Sequence, residues 1–336
     1  MPQDPTPLSP LAVSQQLDPV IQNFALGAKT TQPMVGHRLV PGISVKRVTG
    51  KFVRYGRESM ALYHTARAPR GEAREIQAGL GLGDYALKFH KAEFPIDIDQ
   101  ELEVITQATQ LKYDRFASSR LIDVLALEAE YEKAKLVSDL SNYDANHQQT
   151  LDSTTQLSNP ATPISTLYNE WAQAVRRSAG VMPNVMFMTR PAFSHMQRIE
   201  EIRTQYIHTT GAIVTDAMLA DFFSIPNVVV SDTMMVPPEG GDFTELPWGN
   251  KVILAYVNPR FAEMKANTAY MQVPDANEAE PSAFYNFYRE GQPSMVPAYV
   301  EEKTTTLRYG ARYDYQPQVT FQGAAFLVND AITTTA

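Results

Sequence analysis

The chain has 336 residues, 44% of them hydrophobic and 20% charged, enough apolar material to bury the core of one large domain or two modest ones. Its formal charge of -8 argues against a dedicated nucleic-acid binder, because neutralising phosphates needs a basic face. It holds no cysteine, which excludes disulfides, thiolate nucleophiles and cysteine-based zinc or iron–sulfur sites.

Residues 1–17 are proline-rich and carry Asp4, with no basic stretch leading into an apolar core, so they do not read as a signal peptide. No apolar run approaches the roughly 18 residues of a spanning helix. These features predict a soluble protein made in a cytoplasm. The first 17 residues have few large apolar groups to offset their ordering entropy and read as an extended arm. Residues 18–27 (DPVIQNFALG) read as a short helix, with Asp18 as N-cap, Pro19 in the first turn and Gly27 as C-cap. An apolar patch follows and ends in a Pro-Gly turn.

The stretch 45–74 is unlike the rest of the chain. Lys46, Arg47, Lys51, Arg54, Arg57, Arg67, Arg70 and Arg74 give it a strong positive charge. Its first part, SVKRVTGKFVRYG, alternates imperfectly in the manner of a strand. A polar, glycine-rich middle follows, and residues 85–94 return as a second strand. The pattern predicts an extended hairpin whose arms could reach about 50 Å at about 3.3 Å per residue. An isolated two-stranded ribbon is marginal in water, so another chain would have to support it.

The charge then reverses. Glu93, Asp97, Asp99, Glu101 and Glu103 follow one another with no cation between them. Residues 111–139 contain no glycine or proline and predict one long helix, a structural strut. Phe116, Leu121, Val124, Leu125, Ala129, Leu136 and Val137 form its apolar side, and Glu128 and Glu132 with Lys133 and Lys135 its wet side. The polar residues 141–162 read as a linker. An α/β rhythm comes next: a helix capped by Ser165 and ended by Gly180, a buried strand NVMFMT, one helix opened by Pro191, a helix capped by Thr215, and buried strands NVVVSD and KVILAYVN. The last 40 residues are strand-rich.

No catalytic constellation stands out. GLGLGD (residues 79–84) lacks the spacing of a dinucleotide loop and precedes a strand, so it reads as the hairpin tip. His37, His64, His90, His147, His195 and His208 include no pair at the i, i+4 spacing of a helical metal site. There is no GxSxG, no phosphate-binding GxxxxGK[ST] and no calcium loop. Asp97 and Asp99 could form a catalytic dyad, but a charged face fits them better. The expectation is therefore no catalytic, cofactor or metal site.

The order of elements resembles the major capsid proteins of tailed bacteriophages with the HK97-type fold. DPVIQNFALGA followed by HRLVPGISVKRVTGKFVRYGRES is similar to an N-terminal arm entering the extended loop. LALEAEYEKAKLVSDLSNY is similar to the end of the spine helix. PNVMFMTRPAFSHMQRIEEIRTQY, TDAMLADFFSIPNVVVSD, WGNKVILAYVNP and FQGAAFLVNDAI resemble the A-domain. The resemblance implies an α+β fold with an N-terminal arm (1–44), an extended β-hairpin loop (45–97), a P-domain in two parts (98–162 with the spine helix, and 258–315), an A-domain (163–257) and its C-terminal strand (316–336).

The resemblance further implies hexamers and pentamers in an icosahedral shell, enclosing double-stranded DNA without reading its sequence, in a virion made in a bacterial cytoplasm. No membrane is involved. The basic loop would cross a neighbouring subunit and meet Glu93, Asp97, Asp99, Glu101, Glu103, Glu128, Glu132, Glu301 and Glu302. The chain has no fused scaffolding segment before the arm, which implies a separate scaffolding protein or processing, alongside a portal. The loop tip carries arginines where a crosslinking lysine would be needed, so a covalent crosslink is not expected and a decoration protein could supply stability instead. Two other readings remain open at this point: an encapsulin-like nanocompartment shell, and a soluble α/β enzyme using the acidic cluster.

Overall fold

The computed structural model describes residues 32–54, 62, 66, 81–97, 107–206, 214–259, 281–301 and 306–333, with the side chains of all of these except 96, 97 and 107–115. The predicted arm at 1–17, the helix at 18–27 and most of the loop tip lie outside the described residues. In chain order the first half holds β1 (Gly42–Val45), β2 (Thr49–Arg54), β3 (Gly81–Ala86), β4 (Lys88–Asp97), α1 (Gln107–Ser138), β5 (Gln148–Thr150), α2 (Ile164–Ala179), β6 (Val185–Thr189), α3 (Arg190–Met196) and α4 (Glu200–Tyr206). The second half holds α5 (Asp216–Phe223), β7 (Asn227–Ser231), β8 (Met234–Met235), β9 (Thr244–Glu245), β10 (Val252–Ala255), β11 (Phe284–Arg289), β12 (Ser294–Glu301), β13 (Thr306–Val319) and β14 (Ala325–Asn329).

Two five-stranded sheets organise the chain. The first runs β1-β11-β13-β12, with β4 also paired to β13. Its long central strand is studded with tyrosines. Tyr309, Tyr313 and Tyr315 are buried on the side where α1 lays Leu121, Ile122, Leu125, Ala126 and Ala129. The alanines matter because they let a helix about 48 Å long, at 1.5 Å per residue, lie close against bulky rings. The second sheet runs β5-β14-β10-β6-β7. Every residue of β6 and β10 is buried, as expected of central strands covered on both faces. α2 packs against this sheet through Leu167, Trp171 and Val175, and the Trp171 ring lies 6.2 Å from that of Phe326. The helix ends where Gly180 turns left-handed, with φ at 70°.

Several expectations change. The predicted strand 85–94 is two strands. Leu87 is buried and its N–H bonds to the Val48 carbonyl at 2.8 Å; beyond it the chain leaves β2 and pairs with β13 over ten residues of register. Only β2 and β3 form the hairpin ladder, from Thr49↔Ala86 to Arg54↔Gly81. Residues 81–84 of the GLGLGD motif therefore lie in a strand, not at a tip. The predicted linker contains β5, which pairs in parallel with β14, so the second sheet begins at Gln148. Ser165 is not a cap: it sits in the first turn of α2 and its hydroxyl bonds to the Glu201 carboxylate. The helix opened by Pro191 is two helices, because Ile199 is drawn fully into the core between them. Thr215 does cap α5, accepting from Met218 N–H at 3.3 Å.

Candidate assembly surface

The base of the basic loop is built on aromatic–glycine pairs. Phe52 stands directly opposite Gly83, and Tyr85 opposite Gly50. A Cβ on Gly83 would come within 2.5 Å of the Phe52 ring, and one on Gly50 within 2.5 Å of the Tyr85 hydroxyl. Each ring covers the strand opposite it and needs that glycine to do so. Both rings then turn inward onto Phe287 of β11, at centroid distances of 5.1 and 4.9 Å. This anchors the ribbon to the first sheet by one face. The other face holds Lys51, Val53, Leu82 and Asp84.

Lys46, Arg47, Lys51 and Arg54 are all exposed, and none of them forms an ion pair among the described residues. The Arg54 guanidinium lies 5.7 Å above the Phe52 ring. Arg57, Arg67, Arg70 and Arg74 lie outside the described residues.

The predicted acidic partners are differently placed. Glu93 is 2.5 Å from Lys91, accepts from the Tyr299 hydroxyl, and is 3.8 Å from Arg308. The Lys91 hydrogen bond, above all, holds its carboxyl below the usual range. Glu301 accepts from Arg308 at 2.6 Å, Glu128 lies 3.1 Å from His90 Nδ1, and Glu132 lies 3.8 Å from Lys88. Each of these four carboxylates already has a partner within its own chain, because β4 carries Lys88, His90 and Lys91, and β13 carries Arg308, to positions beside them. Asp97 ends β4, opposite Thr306 in register. Asp99, Glu101, Glu103 and Glu302 lie outside the described residues.

The expected wet side of α1 is also corrected. Glu130 and Lys133 are 1% and 4% exposed, while Phe116 and Val124 are exposed. What buries this face is the 3-10 turn Gly36–Arg38, 94 residues away in sequence. Gly36 N–H donates to Glu130 Oε1 at 2.6 Å, and a Cβ on Gly36 would meet the carboxylate at 2.6 Å. Burial pushes the Glu130 carboxyl up, opposed by Lys133; burial pushes the Lys133 ammonium down, opposed by Glu130. Sequence reasoning missed this pair, since a charged position on a long helix reads as solvated until its cover is known. Beyond the turn, Leu39, Val40 and Ile43 are buried, and β1 runs parallel to β11. The residues that lead into the loop are thus part of the core.

Among the described residues, no cluster of three His, Asp or Glu side chains could hold a metal ion, and no helix is long and apolar enough to cross a membrane.

No protein-family model matches the sequence. The chain is 27% identical over 291 residues to the major capsid protein of Burkholderia phage BcepMu, across 85% of this chain and 87% of that one. The structure is similar to that of a phage-related protein from Bordetella bronchiseptica RB50, with a TM-score of 0.76 and 24% identity over 95% of this chain and 98% of that one. It is also similar to a virus-like particle from Pyrococcus furiosus, with a TM-score of 0.53 and 10% identity over 93% and 97% of the two chains. The fold is the HK97-type capsid fold, and sequence likeness and fold agree on a shell-forming phage protein.

Proposed function

We propose that this chain is the major shell subunit of a tailed double-stranded DNA phage, assembling with copies of itself as hexamers and pentamers of a closed icosahedral capsid. The observation that carries this reading is the likeness to a major capsid protein along 85% of the chain, together with the HK97-type fold of this chain. In this reading the first sheet and α1 form a P-domain, the second sheet forms an A-domain, and residues 45–97 include the loop that crosses to a neighbour. The exposed cations of the loop base support that role, since none of them forms an ion pair among the described residues. Single exposed pairs are worth about 0–1 kcal/mol. Repeated around a shell they set orientation and register more than affinity.

A separate scaffolding protein, a portal and a decoration protein belong to the same proposal, as do enclosure of DNA without base recognition and synthesis in the host cytoplasm. The role is structural, and no residue is assigned to catalysis. Purified subunit examined by light scattering after gel filtration tests the reading. Megadalton particles are the expected result, and a small oligomer at every salt concentration and with scaffold added would contradict it.

A further inference from the structure

The short hairpin β8–β9 and the middle of α1 wall an open cavity of about 360 Å³. Its apolar lining includes Val124 and Leu127 of α1, Met234, Val236 and Phe243 of the hairpin, and Met34. Val124, Val236 and Phe243 are 43%, 47% and 63% exposed, and large apolar groups gathered at one surface mark a site that something covers. An engineered cavity of about 150 Å³ holds benzene, so this one has room for roughly two apolar side chains.

Gln32, the first described residue, stands on the cavity wall. Its side chain accepts from Met234 N–H at 2.9 Å, and the Pro33 carbonyl accepts from the Thr233 hydroxyl at 2.9 Å. Residues 1–31 therefore join the body at the base of this hairpin. Among them, DPVIQNFALG (18–27) carries the N-cap and C-cap signals of a helix. At 100° per residue, Val20, Ile21, Phe24 and Ala25 fall within about 140° of one face, with Gln22 and Asn23 outside it. Only residues 28–31 separate Gly27 from Gln32. Five steps of fully extended chain span at most about 18 Å, and a ten-residue helix is about 15 Å long. So short a tether holds the apolar face within reach of a cavity that Gln32 already borders.

We propose that residues 18–27 dock in this cavity as a helix of the same chain, with Val20, Ile21 and Phe24 set against Val124, Val236 and Phe243. The helix then bridges α1, which packs on the first sheet, and the hairpin that follows β7 of the second. The contact lies within one subunit, so it goes beyond the shell reading and stands whether or not copies assemble.

The absence of native cysteine makes the test direct. In the full chain, Val236→Cys is combined in turn with Val20→Cys, Ile21→Cys or Phe24→Cys, and with Gln22→Cys as a control on the polar side. Unassembled subunits are treated with diamide, run on a non-reducing gel and assayed for free thiol. A disulfide forms only where Cα atoms come within about 4.4–6.8 Å, so closure reports this docking and no looser one. At least one of the three apolar positions should lose both thiols at monomer size, at least tenfold faster than the control. No closure, links between chains instead, or a control that closes as fast overturns the inference. If the cysteine variants fail to fold, a hydrophobic dye on the cysteine-free chain decides. Phe24→Asp should raise the fluorescence of anilinonaphthalene sulfonate at least threefold, and Gln22→Asp should not. Wild-type fluorescence from Phe24→Asp, or an equal rise from both, overturns the inference.

Discussion

Replacing Glu130 with alanine should loosen the connection between the start of the chain and the body of the subunit. The substitution removes the carboxylate whose charge offsets the burial of Lys133 and takes the acceptor from Gly36 N–H. Breaking a buried pair by deleting one member typically costs about 3–5 kcal/mol. An unfolding entropy of about 2.1 cal/mol/K per residue gives roughly 0.7 kcal/mol/K for a chain of this size, so the loss corresponds to about 4–7 °C in Tm of the unassembled subunit. Glu130→Gln keeps an oxygen for Gly36 but not the charge, and should fall between wild type and alanine. Removing both charges together, with Glu130→Leu and Lys133→Met, should recover most of the loss, because neither charge is then stranded. Scanning calorimetry reads the global effect. Amide exchange at Val40, whose N–H bonds to Gly36 O at 2.8 Å, reads the local one. A Tm within 1 °C of wild type and unchanged protection at Val40 for Glu130→Ala would refute the assignment of this carboxylate as the anchor of the turn.

Phe52→Ala removes a side chain that is 2% exposed and packed on Phe287; a loss of about 3–5 kcal/mol is expected by chemical denaturation, and a loss under 1 kcal/mol would mean that the ribbon is not anchored there. The Asp152 carboxyl is held down to about 2, first by the Thr154 side chain and then by Thr155. Because its folded value lies below the usual 3.9 or so, the turn's contribution is present above that value and is lost as pH falls through about 2; carbon-detected NMR titration should place the midpoint near 2, and a midpoint near 3.9 would contradict the hydrogen-bond pattern. Reversing Arg54, Arg57, Arg67 and Arg70 to Glu together should leave the Tm of the subunit unchanged but abolish closed particles, and wild-type assembly should weaken with salt, because exposed pairs are screened over about 8 Å at physiological ionic strength. Normal particle yield from the fourfold variant at low salt would make the loop's charge irrelevant to assembly.

What the sequence made legible follows from how local each signal is. NVMFMT and KVILAYVN carry unbroken apolar runs, and a strand covered on both faces writes itself that way. The long helix was evident from 29 residues without glycine or proline. The break at Leu87 was invisible because Tyr85, Leu87 and Phe89 keep one alternation while the strand changes partner from β2 to β13. Gln148–Thr150 is a polar edge strand whose only mark is its pairing with β14. The anchoring of Gly36 by Glu130 joins residues 94 apart, and no periodicity reports such a contact. The basic loop was recognisable from its charge, but the pairing of the acidic residues within the chain was not. Glu93 and Glu301 look free in sequence and are held by Lys91 and Arg308 in the folded chain.

Negative-stain microscopy of the purified chain, alone and with scaffold, tests the central claim most directly. Closed, uniform shells are predicted at low salt, with fewer at high salt. A field of single subunits or small rings under all of these conditions, from protein that is folded by calorimetry, would contradict the reading of this chain as a capsid subunit.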